Sequence, residues 1–112
     1  MIGCDIIEIE RIRQSYAKYG RSLLDRILSI SEQEIFFQRN ESINFLAGRF
    51  AGKESVAKAF RTGIGEHISF VDIEILPDSA GAPTVSIKGT PAPEIEISIS
   101  HCKEYAIAMA TK

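Results

Sequence analysis

The spacing of apolar residues changes once along this chain, near residue 67, and that change limits the fold more than any other feature. Before it, apolar side chains recur at steps of three and four; after it, they alternate with polar ones. A helix repeats a face every 3.6 residues and a strand every two, so the first part reads as helices and the second as strands. Strands joined by short turns pair antiparallel, so the expected class is α+β, helices first and a meander-like sheet after. At 112 residues the length fits one core, expected as a single domain over 1–112.

The helical part divides at recognisable punctuation. Residues 1–9, MIGCDIIEI, are rich in isoleucine around Asp5 and read as a short strand turning into a helix. Ile9, Ile12, Tyr16 and Tyr19 mark a helix from Glu8 to about Tyr19, stopped by Gly20, and a second short helix is expected around Leu23 to Leu28. Ser31 and Glu34 fit the S-x-x-E pattern of a capping box, opening a helix to about Arg39. The longest signal runs from about Ile43 to Arg61, with Leu46, Ala47, Phe50, Ala57 and Phe60 on its stripe and Gly63 and Gly65 beyond its end. Four strands should follow, at Val71–Leu76, Thr84–Lys88, Ile95–Ser100 and Tyr105–Ala110, the first ending at turn residues Pro77 to Gly81.

Charge and cysteine content exclude several classes. A net charge of −2 argues against a general nucleic-acid binder. No apolar run approaches the ~20 residues that cross a bilayer, so no membrane association is expected. Asp5, Glu8 and Glu10 make the start unlike a secretion signal. Cys4 and Cys102 lack zinc-like spacing and read as free thiols in a reducing, cytoplasmic setting. Between Arg11 and Arg26, five cations (Arg11, Arg13, Lys18, Arg21, Arg26) face one acid, Asp25. That surplus suits an acidic partner, though a merely solvated helix face has the same composition. A chain this short leaves much surface uncovered, which favours subunit contacts.

Chemistry concentrates on the long helix. Glu54 lies four residues after Phe50 and three before Ala57, on the stripe otherwise directed at the core, where a carboxylate needs a cation, a metal or a proton. The plain alternative is an i,i+4 ion pair with Lys58. Asp5 is a second acid in an apolar setting; it suits a hard ion such as Mg²⁺, or equally a helix N-cap. Arg49, Lys53 and Lys58 surround Glu54, and the glycines at 63 and 65 expose backbone that can meet phosphates. His101 ends the isoleucine-alternating strand at a cleft edge, with Ser100 beside it; a structural histidine is the bland reading.

Taken in order, GCDIIEIERI, RILSISEQE, NFLAGRFAGKESVAKAFRTGIG, ISFVDIEILPDSAGAP and ISISHCKEYAIAMA resemble holo-acyl-carrier-protein synthase over nearly the whole chain. The most specific element is an N-terminal G-x-D paired with an F-x-x-K-E-S helix and a later S-H. The resemblance implies the 4′-phosphopantetheinyl transferase fold, with Asp5 and Glu54 holding Mg²⁺ against the pyrophosphate of coenzyme A and Lys58 against the phosphates. By the same resemblance, Glu54, Asp5, Lys58 and His101 are catalytic. Arg49, Lys53, Lys58, Gly63, Gly65, Ser100 and His101 bind the coenzyme, and Arg11, with Arg13 and Arg21, docks the acidic acyl carrier protein. It also implies a homotrimer with each site between two subunits, and transfer of 4′-phosphopantetheine to a carrier serine in fatty acid biosynthesis. Gly52 stands where alanine is commoner, costing up to ~1 kcal/mol of helix preference unless packing needs the small residue. The competing class is a non-catalytic oligomeric module whose Asp5 and Glu54 serve only as ion pairs; Mg²⁺-dependent coenzyme A binding separates the two.

Overall fold

The computed structural model describes residues 1–65 and 67–112. Strand β1 (Ile2–Glu8) runs into helix α1 (Ile9–Tyr19), followed by α2 (Arg21–Ile27), α3 (Ile30–Gln38) and the long α4 (Ile43–Ala59). Then come β2 (Ile73–Pro77), β3 (Pro83–Ile87), the two-residue β4 (Thr90–Pro91), β5 (Glu96–His101) and β6 (Tyr105–Thr111). The α+β class and the long central helix are as expected. The single meander is not: the strands form two three-stranded antiparallel sheets, ordered β1-β6-β5 and β2-β3-β4. The first strand crosses the whole sequence to pair with the last, Gly3 opposite Ala110 and Asp5 opposite Ala108.

Two local expectations shift by a step. The capping box uses Ser29 and Glu32, the S-x-x-E two residues upstream of the one expected: Ser29 Oγ accepts from Glu32 N and Glu32 Oε1 accepts from Ser29 N. Both frames fit the pattern, and burial decides between them, since Glu32 is enclosed while Glu34 is exposed. Val71 falls in a 3-10 turn, Phe70–Asp72, before β2, because Asp72 takes the Ser69 N–H and bends the chain.

Helix α4 is buried on nearly all sides between the first sheet and the other helices. The sheet face beneath it is made of small residues, Gly3 of β1 and Ala106, Ala108 and Ala110 of β6, so helix and sheet approach closely. At Gly3 the approach is backbone to backbone: a Cβ there would collide with the Ser55 carbonyl and lie 2.7 Å from the Ala59 nitrogen. Gly52 has the packing reason its helix penalty demands, since its added methyl would meet Ile75 Cδ1 at 2.8 Å and Ile97 Cδ1 at 3.2 Å. Those are side-chain tips and can yield; the Ser55 carbonyl cannot.

The outer face of β1 and β6 is largely apolar and, among the described residues, uncovered. Ile2, Cys4 and Ile6 of β1 lie beside Met109 and Ile107 of β6, and Ile2 is 68% exposed.

Gly3→Ala should therefore lower stability by about 3 kcal/mol, roughly 10 °C in melting midpoint, while Gly52→Ala loses less than half of that. Thermal unfolding followed by circular dichroism checks the order; equal losses would contradict the backbone contact at Gly3.

Candidate active site

The close approach at Gly3 decides what meets what. Two residues on, with its side chain on the same sheet face, Asp5 comes beside the last turns of α4. Lys58 Nζ donates to Asp5 Oδ1 at 2.9 Å and to the Cys4 carbonyl at 3.0 Å. Lys58 thus turns to Asp5 instead of pairing with Glu54 one helical turn away. Asp5 lies inside β1 and is not a helix cap; the α1 cap position is Glu8, without a side-chain bond.

Glu54 is half-buried on α4 and, among the described residues, its carboxylate accepts no hydrogen bond. It lines a cavity of about 330 Å³ between α1, α2 and α4, together with Ile12, Ser15, Phe50, Arg11 and Arg26. Burial raises its pKa above the ordinary carboxylate range, and the charge of Asp5 raises it further, partly offset by Lys58. Lys58 is also raised, chiefly by its bond to Asp5. Two carboxylates that repel, with one ammonium beside them, form a centre short of positive charge.

The remaining expected residues separate. His101, Arg49 and Gly48 line a different cavity of about 370 Å³, with Arg39, Ser42 and Pro83. Asp5 and Ile99 lie in one row on opposite edge strands, two strand spacings or about 10 Å apart, and His101 is two residues further along β5, with α4 packed across the middle. Ser100 points to the opposite sheet face from His101, because neighbours on a strand alternate. Gly63 adopts φ +68° in the turn after α4, and Ile64, between the two glycines, reaches the Glu54 cavity.

Lys53 corrects an expectation. Its ammonium is fully enclosed, salt-bridged to Glu32 and donating to the Ile27 carbonyl at 2.6 Å, so it has no surface to offer a coenzyme. Burial lowers its pKa, and the Glu32 carboxylate opposes that fall. Removing one member alone would strand the other charge, at about 3–5 kcal/mol. Arg49 is also largely buried: Nε donates to the Ile75 carbonyl at 3.1 Å and the guanidinium stacks on Phe45, 4.4 Å to the ring centre. Arg11, Arg13 and Arg21 are exposed as expected, with Arg13 tied to Glu10 at 3.2 Å and Arg21 over the Phe37 ring. Arg26 and Arg39 were not singled out as site residues; each sits beside a cluster the chemistry draws on, but neither lies in a distinctive motif.

A family model described as the 4′-phosphopantetheinyl transferase superfamily matches residues 1–110. The chain belongs to this superfamily. Among relatives of this phosphopantetheinyl transferase chain, the holo-[acyl-carrier-protein] synthase of Bacillus pumilus is 48% identical over 96% of the chain and 89% of its own length. That of Chlamydia pneumoniae is 48% identical over 97% and 93%. The fold matches the Helicobacter pylori holo-[acyl-carrier-protein] synthase in complex with coenzyme A at a TM-score of 0.87, 33% identity and 99% and 98% coverage. The Bacillus anthracis synthase in complex with CoA (3′,5′-ADP) matches at 0.83, with 39% identity over 97% and 91%.

The raised pKa of Glu54 carries a sign for stability. The folded chain holds the proton more tightly than the unfolded one, so this group favours folding most below the ordinary carboxylate pKa. That contribution is lost as pH rises through the folded value. At pH 7, in EDTA, Glu54→Gln should melt at or above the wild-type temperature, and the difference should vanish toward pH 4. A variant that melts lower at pH 7 would contradict the crowded-charge reading.

Proposed function

We propose that this transferase moves 4′-phosphopantetheine from coenzyme A to a serine of apo acyl carrier protein, leaving adenosine 3′,5′-bisphosphate and supplying holo carrier to fatty acid biosynthesis. The observation that carries the reading is the Asp5–Glu54–Lys58 cluster beside an open cavity.

Asp5 and Glu54 fit a divalent cation of the Mg²⁺ kind. They offer oxygen donors with free lone pairs and an excess of negative charge, and among the described residues no third acid, histidine or cysteine joins them, which suits an ion that keeps positions for water and phosphate oxygens. When bound there, the ion would neutralise charge on the pyrophosphate. Lys58, held at the cluster by Asp5, sits ready to stabilise the same developing charge. Glu54 receives the proton of the attacking serine as the general base. The serine oxygen bonds to the β-phosphorus as the bond from that phosphorus to the bridging oxygen breaks, and that oxygen leaves on the adenosine bisphosphate.

The coenzyme's nucleotide end goes to the His101–Arg49 cavity of a second copy. Within one chain that cavity lies across α4 from Asp5, so among the described residues the two halves of the site line separate cavities. The uncovered apolar face of β1 and β6 supports a subunit contact, and a homotrimer closes it with three equivalent sites. The carrier docks on α1 through Arg11, which borders the Glu54 cavity, with Arg13 and Arg21 adding charge. We place the activity in the cytoplasm, consistent with two free cysteines; no described helix is long and apolar enough to cross a membrane.

Mass spectrometry of apo carrier protein incubated with this protein, Mg²⁺ and coenzyme A should show the added phosphopantetheine; unchanged carrier mass defeats the reading. Glu54→Gln and His101→Ala chains should each be inactive, and a mixture refolded together should regain activity while light scattering reports three times the 12.4 kDa chain mass. A mixture as dead as its parts contradicts the shared site. Arg11→Glu should raise the KM for carrier about tenfold and leave that for coenzyme A near the wild-type value, an effect that added salt imitates.

A further inference from the structure

The outer edge of β2 is covered by charged side chains. In the sheet order β2-β3-β4, β2 has an unpaired edge, and a buried strand edge needs partners for its backbone groups. At Ile75, which is fully buried, the N–H donates to Glu32 Oε2 at 2.8 Å and the carbonyl accepts from Arg49 Nε at 3.1 Å. One peptide position therefore joins an acid of α3 to the arginine of α4. Glu32 is itself fixed by its other oxygen, which accepts from Ser29 N and from Lys53. Arg49 meanwhile stacks on Phe45, and its two Nη nitrogens, bonded to no described side chain or backbone group, are left to the His101 cavity.

We propose that Glu32 is a positioning residue for coenzyme binding: by gripping the Ile75 N–H it sets the Ile75 carbonyl, which aims the guanidinium of Arg49 into the cavity. This rests on the reading of that cavity as the nucleotide end of the coenzyme site. Lys53 supplies the countercharge to Glu32 in a dry place and does not touch the ligand. The arrangement lends the arginine a fixed direction, which a flexible surface cation lacks.

The test compares two double variants that both remove the buried ion pair without stranding a charge. Glu32→Leu with Lys53→Met deletes the acceptor for the Ile75 N–H. Glu32→Gln with Lys53→Met keeps an amide oxygen at the same place. The first should raise the KM for coenzyme A about tenfold, with kcat and the KM for carrier within about twofold of wild type. The glutamine variant should bring that KM back to within about threefold of wild type. A role confined to holding the fold predicts equal KM values in both and a loss only of thermal midpoint, and that outcome overturns the proposal.

Arg49→Met separates the two layers of argument. If it raises the KM for coenzyme A while the two double variants behave alike, positioning by Glu32 fails and the cavity assignment stands; if it leaves that KM unchanged, both fail. Should the double variants not fold, Arg49→Lys decides, because an ammonium bonded to the Ile75 carbonyl has no forked pair of Nη donors left to reach into the cavity. A lysine variant with wild-type KM would overturn the proposal, and one weakened as much as Arg49→Met would support it.

Discussion

The contact between the backbone of β1 at Gly3 and the backbone of α4 at Ser55 and Ala59 governs the molecule. No side chain separates the two elements there, so the strand's position against the helix is set by atoms that cannot change rotamer. Asp5 then falls beside Lys58, and Glu54 faces the same crowd of charge from the preceding turn. The acids stay together because the strand has nowhere else to lie. That close packing also explains the row of alanines on β6, since larger residues would lift the sheet from the helix and widen the gap between Asp5 and Glu54.

Helix α4 carries two sets of charges that do different work. Glu54 and Lys58 remain accessible near its C-terminal end, where burial raises the pKa of Glu54, the bond to Asp5 raises that of Lys58, and a cavity lies open beside them. Lys53 and Arg49 reach away from that cluster and are consumed largely by the protein: Lys53 joins the end of α2 to the start of α3, and Arg49 joins α4 to the β2 edge. Adjacent letters in the sequence thus belong to separate systems. Position 53 locks helices together, and position 54 is left exposed to chemistry.

Much of this was legible in residues alone, and the failures have physical reasons. The change of period gave the class, and the long helix was readable because its length and its glycine-rich end are unambiguous. Glu54 stood out as an acid on an apolar stripe. Lys53 was misjudged since charge alone says nothing about direction: one position of rotation turns it from the cluster into the core, where Glu32, distant in sequence, awaits it. The two S-x-x-E frames at Ser29 and Ser31 were indistinguishable until burial chose one. The division of the strands into two sheets was hidden because β1, read as a local preface to α1, owes its partner to the far end of the chain.

That long-range pairing has a temporal side. Asp5 leaves the ribosome early, but the strand that holds it in register, β6, is made roughly a hundred residues later. At typical elongation of about 5–20 residues per second, the acid waits some 5–20 s before its neighbour exists. Loop closure over that span is among the slower events available to a small domain. The Asp5–Glu54–Lys58 cluster is thus among the last features to assemble during synthesis, and a nascent chain stalled short of β6 holds the helix that carries Glu54 and Lys58 without the strand that keeps Asp5 in register.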